Sequence, residues 1–442
     1  MNRVSQIDKS VSAGSVSAGS VSAKSVSAKS VSAGSSRIRP RFGHLRLVGL
    51  SLIALICAGN LPLRAAAPVK VTFWHYVSAP QPSKELESQV AAFNASQNKY
   101  LIDAVAVGTY QDTNIKLVAA LRSNNAPSMA MVDNVFFTRL AAGNQLAALN
   151  SLLELPASVQ ADLVPVAWNY GQINSQRLGL PWATSSLLLF YNSEALKGKG
   201  VSPPKTWAEF AIASKKLTAR GSKGAVFVID AWAFGSLVTG LGGNIFDAKG
   251  IPDFDGPASL EGVRFLLDLQ KVGALSVRSY SEAEAGIIDF LRTKTFFAIA
   301  PSDVYASLKQ YSTAFNLGAV TLPGRSIAGE AQLVAFKGSS PEEQRGVSEF
   351  WKFLIKTDNQ ERWSKASYYL PVRKSVTVNP DERGLIAEGR LGLERAFNFP
   401  QRGEMQEWRR IIEDALERIL KGGADPILAL GEAQKKTNAV GK

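Results

Sequence analysis

The chain has 442 residues, of which 46% are hydrophobic and 20% charged, so it is too apolar for a disordered protein and long enough for two domains. One cysteine and two histidines exclude a disulfide framework, a cysteine-rich metal site and most histidine-based catalysis. Nine basic residues and one acidic residue lie within residues 1–67, so residues 68–442 hold only +5 of the formal net charge of +13. Because these charges are interspersed, they predict no nucleic-acid-binding surface.

The N-terminal 67 residues have the composition of two non-core segments. Residues 10–35 repeat SVSAG or SVSAK five times, which predicts disorder over residues 1–35 because no large side chain can be buried. Residues 36–67 combine an arginine-rich start, the apolar run LVGLSLIALICAG and a small-residue end. That order is typical of a secretory signal peptide and predicts a periplasmic location. The bulky Ile56 before Cys57 disfavours a lipoprotein signal.

The next segments alternate between strand and helix patterns. We expect strands at 69–74, 100–107 and 127–133, with helices at 83–97 and 112–125 between them. Alternating β and α units favour a parallel sheet covered by helices, whose ligands lie beyond the carboxyl ends of the strands.

Three loops should therefore share one edge of that sheet. Trp74 and His75 follow the first predicted strand, residues 108–111 follow the second, and Asp133 with Asn134 follows the third. We expect a ligand site where these loops meet.

A second set of elements begins at residue 178. A buried strand is expected in the apolar half of 178–192, followed by a helix within 203–217 that Thr206 caps, with Glu209 completing a capping box. Further strands are expected at 224–229, 296–300 and 316–323. An amphipathic helix near the C-terminus should bury one stripe in the core, formed by Trp408, Ile411, Ile412, Ala415, Leu416 and Ile419.

Nine segments in a fixed order carry a family resemblance: FWH, FNASQNKY, SNNAPSMAMVD, LPWATSSLLLFYN, PPKTWAEF, FFAIAPS, LPGRSIAGEAQLVAF, YYLPVRKS and ILKGGADPILALGEAQ. From about residue 69 to 436 the chain resembles the extracellular solute-binding proteins (family 1) of ATP-binding cassette (ABC) sugar importers. Within that family it is similar to the subfamily that includes the sn-glycerol-3-phosphate-binding protein.

The resemblance implies an α/β, type II-like periplasmic binding protein. Two lobes, each a mostly parallel sheet flanked by helices, would be joined by crossing hinge strands and close on a ligand. One lobe would comprise 68–182 and 320–375, and the other 183–319 and 376–442. The crossings should fall near Ala183, Pro323 and Lys374.

Sugars and polyols need flat aromatic surfaces together with short polar side chains or amides. From position alone, Trp74, Tyr110, Trp182, Trp232 and Tyr369 are aromatic candidates at strand ends or loops, and His75 is a candidate for packing or for hydrogen bonding to ligand. The resemblance implies stacking by Trp232, a ligand-facing Tyr369, and hydroxyl or amide contacts from Thr184, Ser185, Ser302 and Gly329.

Two positions bear on the charge of the ligand. Gln111 stands where the resemblance implies a glutamate, and it can donate and accept hydrogen bonds but cannot carry charge. Arg402 is the nearest match to the phosphate-binding arginine, although its spacing to the next glycine is one residue short. Simpler roles remain open for Ser302 as a helix N-cap, Gly329 as a turn residue and Arg402 as a solvated loop residue.

The sequence therefore predicts a monomeric, non-catalytic periplasmic binding protein without cofactor or metal. It would capture a carbohydrate, a polyol or a glycerol-phosphate-type solute and deliver it to a membrane permease. The shifted Arg402 favours a neutral ligand. The alternative is a secreted carbohydrate-active enzyme that uses a pair of its scattered carboxylates.

Overall fold

The structure is a computed structural model that describes residues 67–312, 315–329, 331–381 and 384–440. The predicted disordered segment 1–35, and all of the predicted signal peptide 36–67 except Ala67, lie outside the described residues. None of the helices within the described ranges is both long and apolar enough to cross a lipid bilayer.

The described part of the chain contains twelve strands: β1 Val69–His75, β2 Tyr100–Ala106, β3 Met129–Val132, β4 Gln172–Ile173, β5 Gln176–Arg177, β6 Leu180–Pro181, β7 Leu187–Asn192, β8 Lys223–Val228, β9 Leu275–Arg278, β10 Thr295–Pro301, β11 Leu317–Thr321 and β12 Gln332–Ala335.

Sixteen α-helices lie in the same described ranges: α1 Pro80–Ser96, α2 Tyr110–Arg122, α3 Asn134–Ala142, α4 Ala157–Asp162, α5 Pro165–Tyr170, α6 Ser193–Gly198, α7 Trp207–Leu217, α8 Ala231–Gly240, α9 Pro257–Lys271, α10 Ala283–Leu291, α11 Tyr305–Tyr311, α12 Pro341–Leu354, α13 Thr357–Ser367, α14 Leu385–Arg395, α15 Met405–Leu420 and α16 Pro426–Ala439.

Two five-stranded sheets organise the fold, with strand orders β2-β1-β3-β12-β6 and β11-β7-β10-β8-β9. In the first sheet β1 is parallel to β2 and β3, whereas β12 is antiparallel to β3 and β6. In the second, β8 is parallel to β9 and β10, whereas β7 is antiparallel to β10 and β11. The two-lobed α/β fold class is confirmed. The sheets are more mixed than expected, because the strands next to the crossings run antiparallel to their neighbours.

The predicted strands are present with bounds shifted by up to two residues. The apolar half of 178–192 forms the expected buried strand as β7, and a crossing separates it from the short strand β6. Val320 and Thr321, which the sequence placed in the first lobe, pair with β7 in the second sheet. Thr206 caps α7 by accepting from the backbone N–H of Glu209, but the Glu209 carboxylate accepts from Lys205, so only half of the predicted capping box forms.

The chain passes between the sheets three times. Residues 182–186 join β6 to β7, the segment after β11 leads to β12, and the segment after α13 leads to α14. Ala183, Pro323 and Lys374 lie in these three segments, in that order. We call the three crossing segments together the hinge.

Helix α15 buries the predicted stripe. All six of its predicted apolar residues are buried in a cluster that also contains side chains of α7, α8, α9 and α16. The helical spacing of apolar residues therefore correctly predicted which face of α15 packs in the core, and the opposite face of α15 is polar.

Leu416→Ala tests this packing. Leu416 is 0% exposed, so truncation should lower the free energy of unfolding by about 2–5 kcal/mol through lost burial and a cavity. The matched control is Leu428→Ala in α16, where the side chain is 69% exposed and the change should stay within about 0.5 kcal/mol. Urea denaturation of both variants checks this, and equal losses would contradict it.

Candidate functional site

The carboxyl ends of parallel strands bring the predicted loops to one edge. Because β1, β2 and β3 are parallel, the loops that follow them lie together. The loops after β8, β9 and β10 meet in the same way in the second sheet. Between these two edges lie cavities of about 790 and 780 Å³. We call the two cavities together the cleft.

Both cavities share part of their walls. From the first-sheet side the shared residues are Tyr110 and Gln111, and from the other side they are Tyr280, Arg410 and Glu413. Tyr76, Ser78 and Thr109 complete the first cavity on the first-sheet side, and Asp133 contributes to the second. The loops predicted to share one rim thus do line one cleft.

A capped turn holds Tyr110 and Gln111 at the start of α2. The Thr109 hydroxyl accepts from the backbone of Asp112, whose carboxylate accepts from the backbone N–H of Thr109 at 2.9 Å. Gly108 has a φ of 111°, and a Cβ there would lie 2.6 Å from the Asp112 carboxylate. Glycine at this position therefore lets the cap form, and the cap places Tyr110 and Gln111 at the cleft.

Trp74 and His75 do not line the cleft, because β1 continues through His75. His75 pairs with Ala106 and is 7% exposed, and burial lowers its pKa to about 4. Trp74 packs partly buried against a first-sheet cluster. The residue that reaches the cleft is Tyr76, which the sequence analysis missed and whose ring centroid lies 3.6 Å from that of Tyr110.

Helix α15 supplies the opposite wall with a polar stripe that the sequence analysis did not assign to the site: Arg410, Glu413, Asp414 and Glu417. These residues follow helical spacing on the face away from the buried stripe. The spacing was visible in the sequence, but a polar stripe alone is typical of any surface helix.

A buried ionic group stands at the base of this stripe. The Arg409 guanidinium donates to Asp230 at 3.0 Å and lies 3.7 Å from Glu413. Although burial opposes its charge, these two carboxylates raise the pKa of Arg409. Glu413 accepts from the backbone N–H of Ala231 at 3.0 Å. Burial raises the pKa of Glu413 to about 7, against the opposing effect of Arg409.

Every guanidinium on the described walls of the cleft has a polar partner. Arg139 donates to Gln406 at 2.6 Å, Arg410 donates to Glu407 at 2.6 Å, and Arg409 is held as described. The same walls carry Asp133, Glu404, Glu407, Glu413, Asp414 and Glu417. Among the described residues, carboxylates outnumber cations on the surface of the cleft.

A second group of predicted residues meets in the hinge. Thr184 donates its hydroxyl to the Gly329 carbonyl at 2.7 Å, and Ser185 and Gly329 exchange backbone hydrogen bonds of 3.1 Å. Trp232 donates Nε1–H to the Ile327 carbonyl at 2.6 Å. A Cβ on Gly329 would lie 2.7 Å from Cζ2 of Trp232. Gly329 is therefore required for the close approach of the indole ring, rather than for a turn.

Tyr369 connects the hinge to the cleft. Its ring stacks on Trp363 at 6.1 Å and 7°, and its hydroxyl hydrogen bonds to that of Tyr76. It also hydrogen bonds to the carboxyl of Asp303, which was not among the predicted site residues. Desolvation raises the pKa of Asp303 to about 6, against this hydrogen bond.

Ser302 lies beside Asp303, just after β10. It is the first residue of the 3₁₀ turn Ser302–Val304, whose N-cap position is occupied by Pro301. Within the described residues, the buried hydroxyl oxygens of Ser302 and Ser185 have no hydrogen-bond partner. A helix-capping role for Ser302 is therefore not supported.

Arg402 lies outside the walls of the cleft. Its guanidinium pairs with Glu404 at 3.1 Å and lies 5.7 Å from the Trp408 ring centroid. Its carbonyl accepts from Thr138 at 2.9 Å. The structure thus brings Tyr110, Gln111 and, through Tyr76, Tyr369 to the cleft. It gathers Thr184, Ser185 and Gly329 in the hinge, with Trp232 of α8 against them. No cluster of side chains within the described ranges has the composition of a metal site.

Glu413→Gln should change how stability depends on pH. Because the pKa of Glu413 is raised to about 7, the folded protein binds a proton that the unfolded chain releases near pH 4.5. Stability from this group is therefore present at low pH and is lost as pH rises towards 8. The glutamine variant should gain about 1–3 kcal/mol relative to the parent across that range.

Urea unfolding at pH 4.5, 6 and 8 measures this difference. The matched control is Glu432→Gln, which removes a carboxylate that pairs with Arg418 at the surface and should change stability by at most about 1 kcal/mol. The lowered pKa of His75 has the opposite pH dependence, but it is common to all three proteins and cancels. Parallel curves for Glu413→Gln and the parent would contradict the assignment.

Comparison with known proteins identifies the family. A model for the bacterial extracellular solute-binding proteins matches residues 88–382. The sn-glycerol-3-phosphate-binding periplasmic protein UgpB of Yersinia pseudotuberculosis serotype I (strain IP32953) is 26% identical over 409 residues, covering 84% of this chain and 92% of that protein. UgpB of Escherichia coli O1:K1 / APEC is 26% identical over 422 residues, covering 87% and 95%.

Solved structures share the two-lobed fold. The GacH receptor of Streptomyces glaucescens superposes with a TM-score of 0.75 at 21% identity, covering 84% of this chain and 97% of that chain. UgpB from Mycobacterium tuberculosis superposes with a TM-score of 0.74 at 23% sequence identity, and the coverage of both chains is the same. The family match spans about two thirds of the sequence, and the chain belongs to the bacterial extracellular solute-binding proteins.

Proposed function

We propose that the cleft binds an uncharged carbohydrate or polyol rather than a glycerol phosphate. The chain is a solute-binding protein of the kind that serves ABC importers. Relatives support both ligand classes: the UgpB proteins are named for sn-glycerol-3-phosphate, whereas the GacH structures include acarbose complexes. The choice therefore depends on the charges of this particular cleft.

The state of the guanidinium groups is the observation that carries the proposal. Phosphate recognition favours an arginine whose N–H groups are free for a bidentate grip. The described arginines on the cleft walls already donate to Gln406, Glu407 and Asp230, and Arg402 pairs with Glu404. A phosphate would have to share a guanidinium with one of these partners and approach several carboxylates. A neutral ligand meets neither cost.

Aromatic and short polar side chains suit such a ligand. Tyr110 and Tyr280 are aromatic residues on the walls of the cleft, and Gln111 can both donate and accept hydrogen bonds. We further propose ligand contacts by Trp232 on α8 and Tyr369 in the hinge. The hydroxyls of Ser185 and Ser302 would form hydrogen bonds with polar groups of the ligand.

Capture would proceed by lobe closure, without covalent chemistry. Ligand that contacts both walls of the cleft favours the closed arrangement and shifts the population towards it. The closed monomer would then deliver its solute to a membrane permease. Export by the segment 36–67 would place it in the periplasm, where the UgpB relatives are named as residing.

The carboxylate pair at the edge of the cleft, Asp230 and Glu413, gives little support to a glycoside hydrolase. Asp230 and Glu413 hydrogen bond to each other and share Arg409, so they are closer than the roughly 5 Å or more that retaining and inverting hydrolases require. Sustained turnover of maltotriose or another oligosaccharide by the purified protein would nevertheless establish the enzyme instead.

Calorimetric titration tests the ligand class. Maltotriose, trehalose, galactose and myo-inositol are compared with sn-glycerol-3-phosphate and glycerophosphocholine. At 100 times its dissociation constant the true ligand should also add about 2.7 kcal/mol of stability. We expect binding by a neutral compound. Tight binding of only the phosphate compounds would contradict the proposal.

Tyr110→Ala tests the place of binding. Loss of one aromatic surface should weaken binding of the neutral ligand by about 1–3 kcal/mol. The matched control is Tyr311→Ala on α11, where the side chain is exposed and outside the cleft, and its affinity should equal that of the parent. Unchanged affinity in Tyr110→Ala would move the ligand away from this wall.

A further inference from the structure

Tyr76 makes the kinds of contact that a bound sugar would make. It lies in the short loop between β1 and α1, on the wall of the first cavity. Its ring covers that of Tyr110, with centroids 3.6 Å apart and planes inclined by 34°. Its hydroxyl meets the hydroxyl of Tyr369. One side chain therefore occupies both an aromatic face and a polar group.

The hydroxyl groups of Tyr76 and Tyr369 are connected by hydrogen bonding to a carboxyl group. Tyr369 hydrogen bonds to Asp303, which follows β10 of the second sheet, whereas Tyr76 follows β1 of the first. The chain Tyr76–Tyr369–Asp303 thus links the edges of both sheets. Within the described residues, the Oδ1 atom of Asp303 is shielded from solvent and has no hydrogen-bond donor.

We propose that Tyr76 occupies the subsite of one pyranose ring of the ligand and must be displaced when that ligand binds. The proposal rests on the proposed function. A phenol is a six-membered ring that carries one hydroxyl group, so it approximates a pyranose that stacks on Tyr110 and presents a hydroxyl to Tyr369. An aromatic face of this kind binds sugar C–H groups or another aromatic ring.

Asp303 determines which kind of ligand group fits the inner end of that subsite. An ionised carboxylate accepts hydrogen bonds and cannot donate them, and a buried acceptor without a donor is costly. A ring hydroxyl that displaces Tyr76 can donate to the Tyr369 hydroxyl, and a second ring hydroxyl can donate to Oδ1 of Asp303. The ligand is accordingly a hexopyranose, or an oligosaccharide ending in one, with free hydroxyls at that end.

If Tyr76 fills the sugar subsite of its own protein, which we call self-occupancy, then removing Tyr76 should strengthen sugar binding. The parent must break an aromatic contact and a hydrogen bond before the sugar enters. Tyr76→Ala should therefore lower the dissociation constant of the neutral sugar by about 5- to 100-fold. Tyr76→Phe, which keeps the ring and loses the hydroxyl, should give a smaller gain. Asp303→Asn should weaken binding by about 10-fold, since one acceptor of the carboxylate is lost.

Calorimetric titration of the full chain with maltotriose, trehalose and galactose measures these constants, and Tyr311→Ala is the control. Because an unfolded variant cannot gain affinity, tighter binding by Tyr76→Ala excludes misfolding as the cause. Equal or weaker binding by Tyr76→Ala overturns self-occupancy while leaving the neutral-sugar proposal standing. Unchanged affinity in Asp303→Asn overturns the role of Asp303. Binding of sn-glycerol-3-phosphate alone by parent and variants overturns the proposed function as well.

Discussion

A small set of hydrogen bonds between the crossing segments holds the two lobes in register. Ser185 and Gly329 pair through their backbones, Thr184 adds its hydroxyl to the Gly329 carbonyl, and Leu370 donates to the Thr184 carbonyl at 2.8 Å. All three crossings thereby run side by side. Since each lobe has its own sheet and core, this hinge determines how the loops after β1 and β10 face each other across the cleft.

Helix α15 serves the core and the cleft with opposite faces. Its apolar stripe, which includes Leu416, is buried, while Arg410 and Glu413 line the cleft. The ionic group of Arg409, Asp230 and Glu413 connects the cleft wall of α15 to helix α8 of the core, because Asp230 also caps α8. Ionising Glu413 opposes folding, so the polar wall is retained at a cost in stability, as expected for a binding surface rather than for a packing surface.

Local patterns predicted the strands, the core stripe of α15 and the shared rim, because period and strand direction are encoded in short segments. It was harder to predict which individual side chains reach the cleft. His75 was expected in the rim, but one further ladder pair keeps it in β1, and Tyr76 reaches the cleft instead. Asp303 differs from a surface carboxylate through its burial and its hydrogen bond to Tyr369, and no spacing rule reveals either. Arg402 matched by its order in the chain, yet it pairs with Glu404 and is not among the residues that line the cleft.

The antiparallel pairing of β3 with β12 also constrains how the chain can fold. Val132 pairs with Gln332, about 200 residues later, so the first sheet cannot be completed until most of the polypeptide is available. Pairings this distant in sequence carry a large loop-closure entropy and slow the folding of a domain. The first sheet is therefore expected to form in two stages, with β1, β2 and β3 pairing before β12 completes it.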